Sequence, residues 1–366
     1  MTPTLSLRQL NRALLARQML LQRENHSAVA ATKRLIALQA QVTNPPYIGL
    51  WTRLHNFQRD ELTEAMAQRQ IVRAPLLRST LHLITAEDFA AFRVPLQAAL
   101  TKGLNGFFGQ RMKGLDPAAV VNASEIALRE QPRAFSALKE VFAQTSPDYD
   151  EATLSYVVRT HLPLVMTHPY GVWSTGGKPA YALGDDYLGH AINPDSDARE
   201  LVRRYLAGFG PSSVKDIQSW AGLTTWKDDI SRLKPELVTY KDERGVELLD
   251  LPDAPMPDEN TPTPIRFIPE YDNLVLSHAD RTRIVPDAYR KSVFLSAGRI
   301  ASTVLIDGFV GGVWKISREK KAALLTIELF ALLSPTQREE IEREGDALLR
   351  WVQTDAVSYE IKIIAS

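Results

Sequence analysis

Cysteine is absent from all 366 residues. Its absence excludes disulfides, thiolate zinc sites, iron–sulfur clusters and cysteine nucleophiles together, and predicts a cytoplasmic protein. Long apolar runs are also lacking. None approaches the ~20 residues that span a bilayer, so no membrane partner is expected. The stretch from Met1 to Gln22 interleaves Arg8, Arg12 and Arg17 with its apolar residues. An export signal keeps its charge ahead of the apolar core, so this stretch reads as a helix. Walker-type and dinucleotide glycine loops, the Gly-x-Ser-x-Gly elbow and the His-Glu-x-x-His pair are missing too. The glycines of Gly308-Phe309-Val310-Gly311-Gly312 have no strand-then-helix context and read as a bend or bulge in a strand. The 7 histidines are scattered, and neither His161 nor His168 has a carboxylate in helical register. No metal and no cofactor are therefore expected. Chemistry is left to amides, carboxylates, hydroxyls or a single histidine.

The formal net charge is zero, but it is unevenly placed. Residues 1–115 carry 15 Lys plus Arg against 6 Asp plus Glu, whereas the remainder carries 28 against 37. A basic third balanced by an acidic rest is the asymmetry of a chain with one phosphate-facing side. Arginines that merely solvate helix surfaces would give the same count.

Three stretches share one order, two or three short amphipathic helices followed by a pair of strands. In the first, Ser6 caps a helix carrying Leu10, Leu14, Leu15, Met19 and Leu20. A second helix from Ser27 carries Ala28, Ala31, Leu35 and Leu38, and ends before Pro45-Pro46, because Pro45 disfavours helical geometry at Asn44. Short helices at 47–54 and 60–67 and two strands within 72–84, turning near Pro75, complete it. The second stretch has helices near 118–129, 134–142 and 149–159, with strands at 163–167 and 179–183. The third has helices near 195–207, 213–221 and 225–233, with strands at 237–241 and 247–251. Helices followed by a two-stranded ribbon describe a winged helix. After a proline-rich linker, 252–264, strands are expected at 265–268, 274–276, 292–295, 302–306, 309–315 and 323–329, then a helix at 335–352 and a last strand at 358–364. The fold class is α+β: three tandem winged helices (1–115, 116–192, 193–260) and a β-rich, barrel-like part (261–366).

Leu38-Gln39-Ala40-Gln41 is an unusual end for an apolar helix. Residues i and i+2 diverge on a helix but share one face of an extended chain. With the helix stopped by Asn44-Pro45-Pro46, both amides can face one pocket. Capping of helix carbonyls is the plainer role for such a pair.

The chain resembles the bacterial AlkZ-like group of winged-helix DNA glycosylases, relatives of the YcaQ-like group. The matching residues are Leu38-Gln39-Ala40-Gln41 with Asn44-Pro45-Pro46-Tyr47, and Arg78-Ser79-Thr80-Leu81-His82-Leu83. Further on they are Arg204-Tyr205-Leu206, Phe209-Gly210-Pro211 and Asp216-Ile217-Gln218-Ser219-Trp220-Ala221-Gly222-Leu223. Pro269-Glu270-Tyr271-Asp272-Asn273 and Asp307-Gly308-Phe309 follow in the same order, so the likeness runs essentially end to end. It implies a C-shaped assembly of three winged-helix motifs with a β-rich C-terminal part. It implies excision of alkylated purines from double-stranded DNA, crosslinked bases included, and in some members protection of producers of DNA-alkylating antibiotics. The family's catalytic Gln-x-Gln falls on Gln39 and Gln41. The YcaQ-like branch has Asp at the second position, so the amide of Gln41 places the chain on the AlkZ-like side, with its narrower substrate range.

Alkylation at purine N7 makes the base cationic and its glycosidic bond weak, so little acid assistance is required. A Gln carbonyl oxygen accepts a hydrogen bond from water and positions it, but a neutral amide is a poor base. The residue type therefore favours labile, cationic lesions. Arg78, Thr80 and His82 alternate on a predicted strand face, as phosphate contacts, supports of the Gln pocket or an ordinary solvated wing. Asn44 borders the pair. Tyr47 is a pocket wall or a packing residue. Arg53 and His55 are candidates for the DNA backbone, with Trp51 in the core. Arg281 and Arg283 would bind phosphate or pair with Asp280 or Asp287. Asp272 is expected to be a structural acceptor or a pocket carboxylate. The reading is a monomeric, monofunctional DNA glycosylase. Its rivals are a non-enzymatic winged-helix regulator and a structural binder of damaged duplex.

Overall fold

The computed structural model describes residues 2–193 and 197–365. Strand β1 (Thr4–Leu5) leads into the helix Leu7–Arg17, which starts where sequence places it. Ser6 Oγ accepts from the Gln9 amide at 3.0 Å while Gln9 Oε1 accepts from the Ser6 amide at 2.9 Å, a reciprocal cap. Ser27 caps the second helix, but that helix is only Ala28–Arg34. Leu35 closes it, Ile36 turns left-handed at φ 67°, and β2 (Ala37–Gln39) begins. The Gln-Ala-Gln segment thus starts at a strand end, not at a helix end. The apolar run Leu35 to Leu38 is buried throughout, and such a run suits a helix face and a buried strand equally. Asn44, expected to leave helical geometry, is helical at φ −80° and ψ −33°.

Strands β3 (Ile71–Pro75) and β4 (Leu81–Thr85) form the first ribbon, β5 (Leu164–Met166) and β6 (Tyr181–Leu183) the second. They merge into one sheet of order β2-β4-β3-β5-β6, in which Arg73 of β3 stands opposite Met166 of β5. Pairing thus crosses residue 115. Helices Pro117–Glu130, Lys139–Thr145 and Glu151–His161 lie near their expected positions. Ala86–Phe92 and Gln97–Phe108 are helices that the sequence reading missed.

The third stretch contains helices Ala198–Phe209, Val214–Ala221 and Lys227–Leu233, then the hairpin β7 (Val238–Asp242) and β8 (Glu247–Asp250). The expected helix start at Asp195 lies outside the described residues. Strand β1 adds to this hairpin in parallel, Thr4 opposite Lys241.

The last sheet contains β9 (Arg266–Ile268), β10 (Thr303–Ile306), β11 (Phe309–Glu319), β12 (Ala322–Leu329) and β13 (Ser358–Ala365). Its order β13-β12-β11-β10-β9 leaves β9 and β13 as edges, so it is an open sheet and not the expected barrel. Helix Pro335–Val352 covers one face. Gly345 makes that approach possible, since a Cβ there would stand 2.9 Å from Leu325 Cδ2. Two segments expected as strands are short helices, Asn273–Leu276 and Arg290–Val293. The first follows from Asp272, whose Oδ1 accepts from the Leu274 amide at 2.9 Å as an N-cap.

The N-terminal helices are packed from both sides. Leu14 and Leu15 share one core with Tyr205, Phe209 and Trp220, whereas Tyr47 and Trp51 share another with Phe267 and Leu325. Each such fully buried side chain contributes about 1.5–3 kcal/mol.

The charge asymmetry has the same origin. Arg12 pairs with Asp307 at 2.6 Å, Arg17 with Asp250 at 2.6 Å, Arg23 with Glu344 at 2.5 Å and Arg53 with Asp272 at 2.8 Å. Arg12, Arg17 and Arg53 are buried. Much of the basic third is therefore turned inward onto the acidic remainder, which corrects the expectation of a phosphate-facing side built from these arginines. Among the described residues no helix is long and apolar enough to cross a membrane.

Candidate active site

Gln39 ends β2 opposite His82 of β4. The ladder continues one residue further, with the Ala40 amide donating to Leu81 O at 2.7 Å. Gln39 is the last residue of the strand, and Gln41 lies in the bend that follows. Gln39 is buried and Gln41 is exposed. Between them the Ala40 carbonyl accepts from Arg73 Nε at 3.0 Å, which fixes the tripeptide backbone. Both side-chain oxygens are engaged. Gln39 Oε1 accepts from Arg78 Nη2 at 2.8 Å, and Gln41 Oε1 accepts from the Leu81 amide at 3.2 Å. Each amide oxygen keeps a second acceptor site.

Arg78 sits on the tight turn between β3 and β4, with its backbone left-handed at φ 54°. Its guanidinium also donates to Trp220 O at 2.7 Å and approaches Asn273 Oδ1 at 3.4 Å. Asn273 in turn donates from Nδ2 to Ala37 O at 2.5 Å, on the strand that carries Gln39. One cation thus ties the glutamine to the third helical stretch and to the C-terminal part. Gly222 permits it. Its φ of +83° and the 2.8 Å separation of a notional Cβ from Arg78 Cα admit no side chain there. Burial, then the neighbouring Arg281, pull the Arg78 guanidinium down to about 10.

His82 is fully buried beside this group. Burial, then the Arg78 cation, push its imidazole down to about 3, so it is neutral. Its Nδ1–H donates to Thr80 O at 3.0 Å, leaving Nε2 as the acceptor facing Arg78 at 3.5 Å.

The opposite wall is the turn from Pro269 to Asn273. Arg53 grips Asp272 with both terminal nitrogens, each at 2.8 Å, and donates from Nη1 to Gly49 O at 2.8 Å. Tyr271 within the turn is left-handed at φ 60°. A small cleft remains, walled by Gln39, Pro45, Pro46, Gly49, Glu270 and Asp272 among others. Glu270 is half-buried in that wall, and burial raises its carboxyl above the ordinary glutamate value. Sequence reasoning fixed on Asp272 and passed over Glu270. The only signal was its place in the matching segment Pro269 to Asn273.

Residues 32–351 match the DNA glycosylase AlkZ-like family. The chain belongs to this family. It is a DNA glycosylase. A curated relative from Streptomyces sahachiroi, an interstrand DNA cross-link repair glycosylase, is 24% identical over 324 residues, covering 82% of this chain and 85% of its own. The solved structure of the Streptomyces sahachiroi DNA glycosylase AlkZ superposes with a TM-score of 0.80 at 19% identity, covering 99% of this chain and 100% of that one. That likeness shows the mixed α+β fold is shared.

The other candidate residues of this AlkZ-like glycosylase are distributed unevenly. Asn44 stands at the cleft margin, where its Oδ1 accepts from the Ser174 amide at 2.8 Å and joins the second ribbon's loop to the glutamine segment. Tyr47 is buried, its hydroxyl 3.1 Å from Thr63 Oγ1 and its ring edge-on to Trp173, so packing is its role. Trp51 is buried as expected, 6.0 Å from Trp351 between ring centres. Thr80 turns its hydroxyl back to Leu77 O at 3.1 Å, and its carbonyl accepts from His82. Arg53, at 1% exposure, is an internal brace and has no route to a phosphate, which corrects that expectation. Arg283 is likewise buried and donates to Pro211 O at 2.7 Å, so neither phosphate nor Asp287 is its partner. Arg281 stacks on Phe294 at 4.2 Å, and it is Arg244 that pairs with Asp280.

Proposed function

We propose that this glycosylase hydrolyses the N-glycosidic bond of N7-alkylated purines in double-stranded DNA, with Gln39 and Gln41 as its catalytic pair. Interstrand crosslinks through N7 are among its substrates, and the enzyme acts as a monomer. It serves base-excision repair of alkylation damage or self-protection against DNA-alkylating natural products. The observation that carries the reading is that neither Arg78, which contacts Gln39's amide, nor His82 beside it is poised to give a proton to a leaving base. Its contact Arg78 remains a cation, and the neighbouring His82 is neutral with its only N–H donated to Thr80 O. Neighbours of Gln39 that do not protonate a leaving base suit a base that already carries positive charge. Each Gln oxygen retains one acceptor site for a water, and the hydrogen bonds from Arg78 and the Leu81 amide hold both side chains in place.

Crosslink competence is supported by the Streptomyces sahachiroi relative, an interstrand DNA cross-link repair glycosylase. The helix-and-ribbon groups over 1–115, 116–192 and 193–260 are proposed as three winged-helix units arranged in a C around the duplex, with 261–366 closing the Gln39 cleft through Asp272 and Asn273. The test is direct. Purified protein is incubated with duplex carrying 7-methylguanine or an N7-linked crosslink, and alkali-labile abasic sites are counted. Wild type releases the base. Gln39→Ala combined with Gln41→Ala lowers the rate at least 10²-fold, the scale of losing one positioned polar group. Absence of release from every N7-alkylated purine sinks the substrate reading, whereas release that survives the double substitution sinks the site.

A further inference from the structure

We infer that Glu270 is a second catalytic group of this enzyme, the carboxylate that receives the proton of the attacking water and faces the positive charge developing on the deoxyribose. The inference rests on the proposed hydrolysis of N7-alkylated purines and supplies what the glutamine pair lacks. Gln39 Oε1 and Gln41 Oε1 both already accept a protein hydrogen bond, and the one from Arg78 makes Gln39 a still weaker base. They place a water but cannot hold its proton.

Glu270 lines the same cleft as Gln39 and has no hydrogen-bonding or ionic partner among the described residues, whereas its neighbour Asp272 is fully engaged by Arg53 and the Leu274 amide. A half-buried carboxylate left free on the wall of a cleft points to the cleft's occupant. The backbone around it is held and not slack. Asp272 is clamped by Arg53, Asn273 is bonded to Ala37 O, and between them and Glu270 lies Tyr271 with φ at 60°. A bulky residue in the left-handed region persists only where its surroundings enforce it, and here the enforced turn presents Glu270 to the cleft.

The step balances. The C1′–N9 bond breaks and its electron pair leaves with the purine, discharging the cation of the N7-alkylated base. The water oxygen bonds to C1′, and its proton passes to the Glu270 carboxylate and from there to solvent. The products are an abasic deoxyribose and a neutral alkylated base. The other ionisable group lining the cleft is Asp272, which Arg53 pairs, and on the far side of Gln39 stand Arg78 and His82. His82 stays neutral through the working range, and burial raises the carboxyl of Glu270 toward that range.

Base release from duplex with one 7-methylguanine is followed under enzyme excess between pH 5 and pH 8, for wild type, Glu270→Gln and Glu270→Asp. The wild-type rate falls on the acid side with a midpoint above that of an ordinary glutamate. Glu270→Gln slows release by about 10²-fold at pH 7.5 and flattens the acid limb, while DNA affinity and melting temperature stay close to wild type. Glu270→Asp recovers part of the rate and restores the limb. A Glu270→Gln rate within threefold of wild type overturns the inference, as does a wild-type rate that rises toward acid pH, since that assigns the group as a proton donor. If Glu270→Gln also loses DNA affinity or folding, a pH-independent wild-type rate still overturns it, and an acid limb restored in Glu270→Asp upholds it. A wild type inactive on every N7-alkylated purine fails one level earlier, at the substrate class, and is told apart by that.

Discussion

Arg78 Nη2 lies 2.8 Å from Gln39 Oε1 and holds the side-chain amide of a residue 39 positions away in one orientation. The same guanidinium reaches Trp220 O and Asn273, so the orientation of Gln39 depends on three separate parts of the chain. A positioned amide is useful only if its direction is fixed, and Arg78 fixes it.

Replacing Arg78 by Ala is therefore expected to slow base release by about 10- to 100-fold with little loss of DNA affinity, read as single-turnover rate and equilibrium binding. Lys is expected to restore little, because one ammonium does not span Trp220 O and Gln39 as a planar fork does. Arg78→Gly discriminates between chemistry and strain. Its rate equals that of Arg78→Ala, but it unfolds at a higher temperature, since glycine accepts φ 54° without penalty. A glycine variant less stable than the alanine one removes backbone strain from the account.

The Arg53–Asp272 pair predicts a coupling in stability. Both residues are buried, and removing either leaves the other's charge unpaired out of water. Arg53→Met and Asp272→Asn should each cost about 3–5 kcal/mol in denaturant unfolding. The double variant should cost less than the two together, because the stranded charge is gone. Strict additivity would mean that the pair does not act as a unit.

His82 predicts how stability responds to acid. In the unfolded chain its imidazole takes up a proton near pH 6.5, but in the fold it does so only near pH 3. Between those values the unfolded state binds the extra proton, so stability is complete above about pH 6.5 and falls as pH drops toward 3. The slope from this one residue approaches 1.4 kcal/mol per pH unit. His82→Gln should flatten the stability profile between pH 6 and pH 4 by about that amount, measured by denaturant titration at each pH. An unchanged slope would show that His82 is protonated in the native protein.

Local signals carried much of the fold and fewer of its connections. Ser6 and Ser27 mark helix starts because a cap is formed within three residues, and Pro335–Val352 is read end to end for the same reason. The glutamine pair was visible as an anomaly, although its context was not. Leu35 to Leu38 continue the apolar pattern of a helix, and only the φ of Ile36 and pairing with β4 reveal a strand. Leu274–Leu276 resembles a strand because three aliphatic residues carry no period, and the Asp272 cap decides otherwise. What sequence cannot show is a partner far along the chain. Arg53 and Arg283 looked like phosphate ligands because positive charge was legible, whereas Asp272 and Pro211 O, their actual partners, were not. Glu270 was overlooked for the converse reason. Its distinction is to lack a hydrogen-bonding or ionic partner among the described residues, and that becomes visible only beside Asp272 and Asn273, which have theirs.

The inward arginines of the first sixty residues also set an order of assembly. The ribosome delivers Gln39 and Gln41 early, but Arg17 waits for Asp250, Arg53 for Asp272 and Arg12 for Asp307. Until the last of these has emerged, the nascent segment holds cations with no counter-ion and a glutamine with no opposing wall. The site is therefore complete only after Asp272 and Asp307 have been made and the segments that carry them pack onto the first helices.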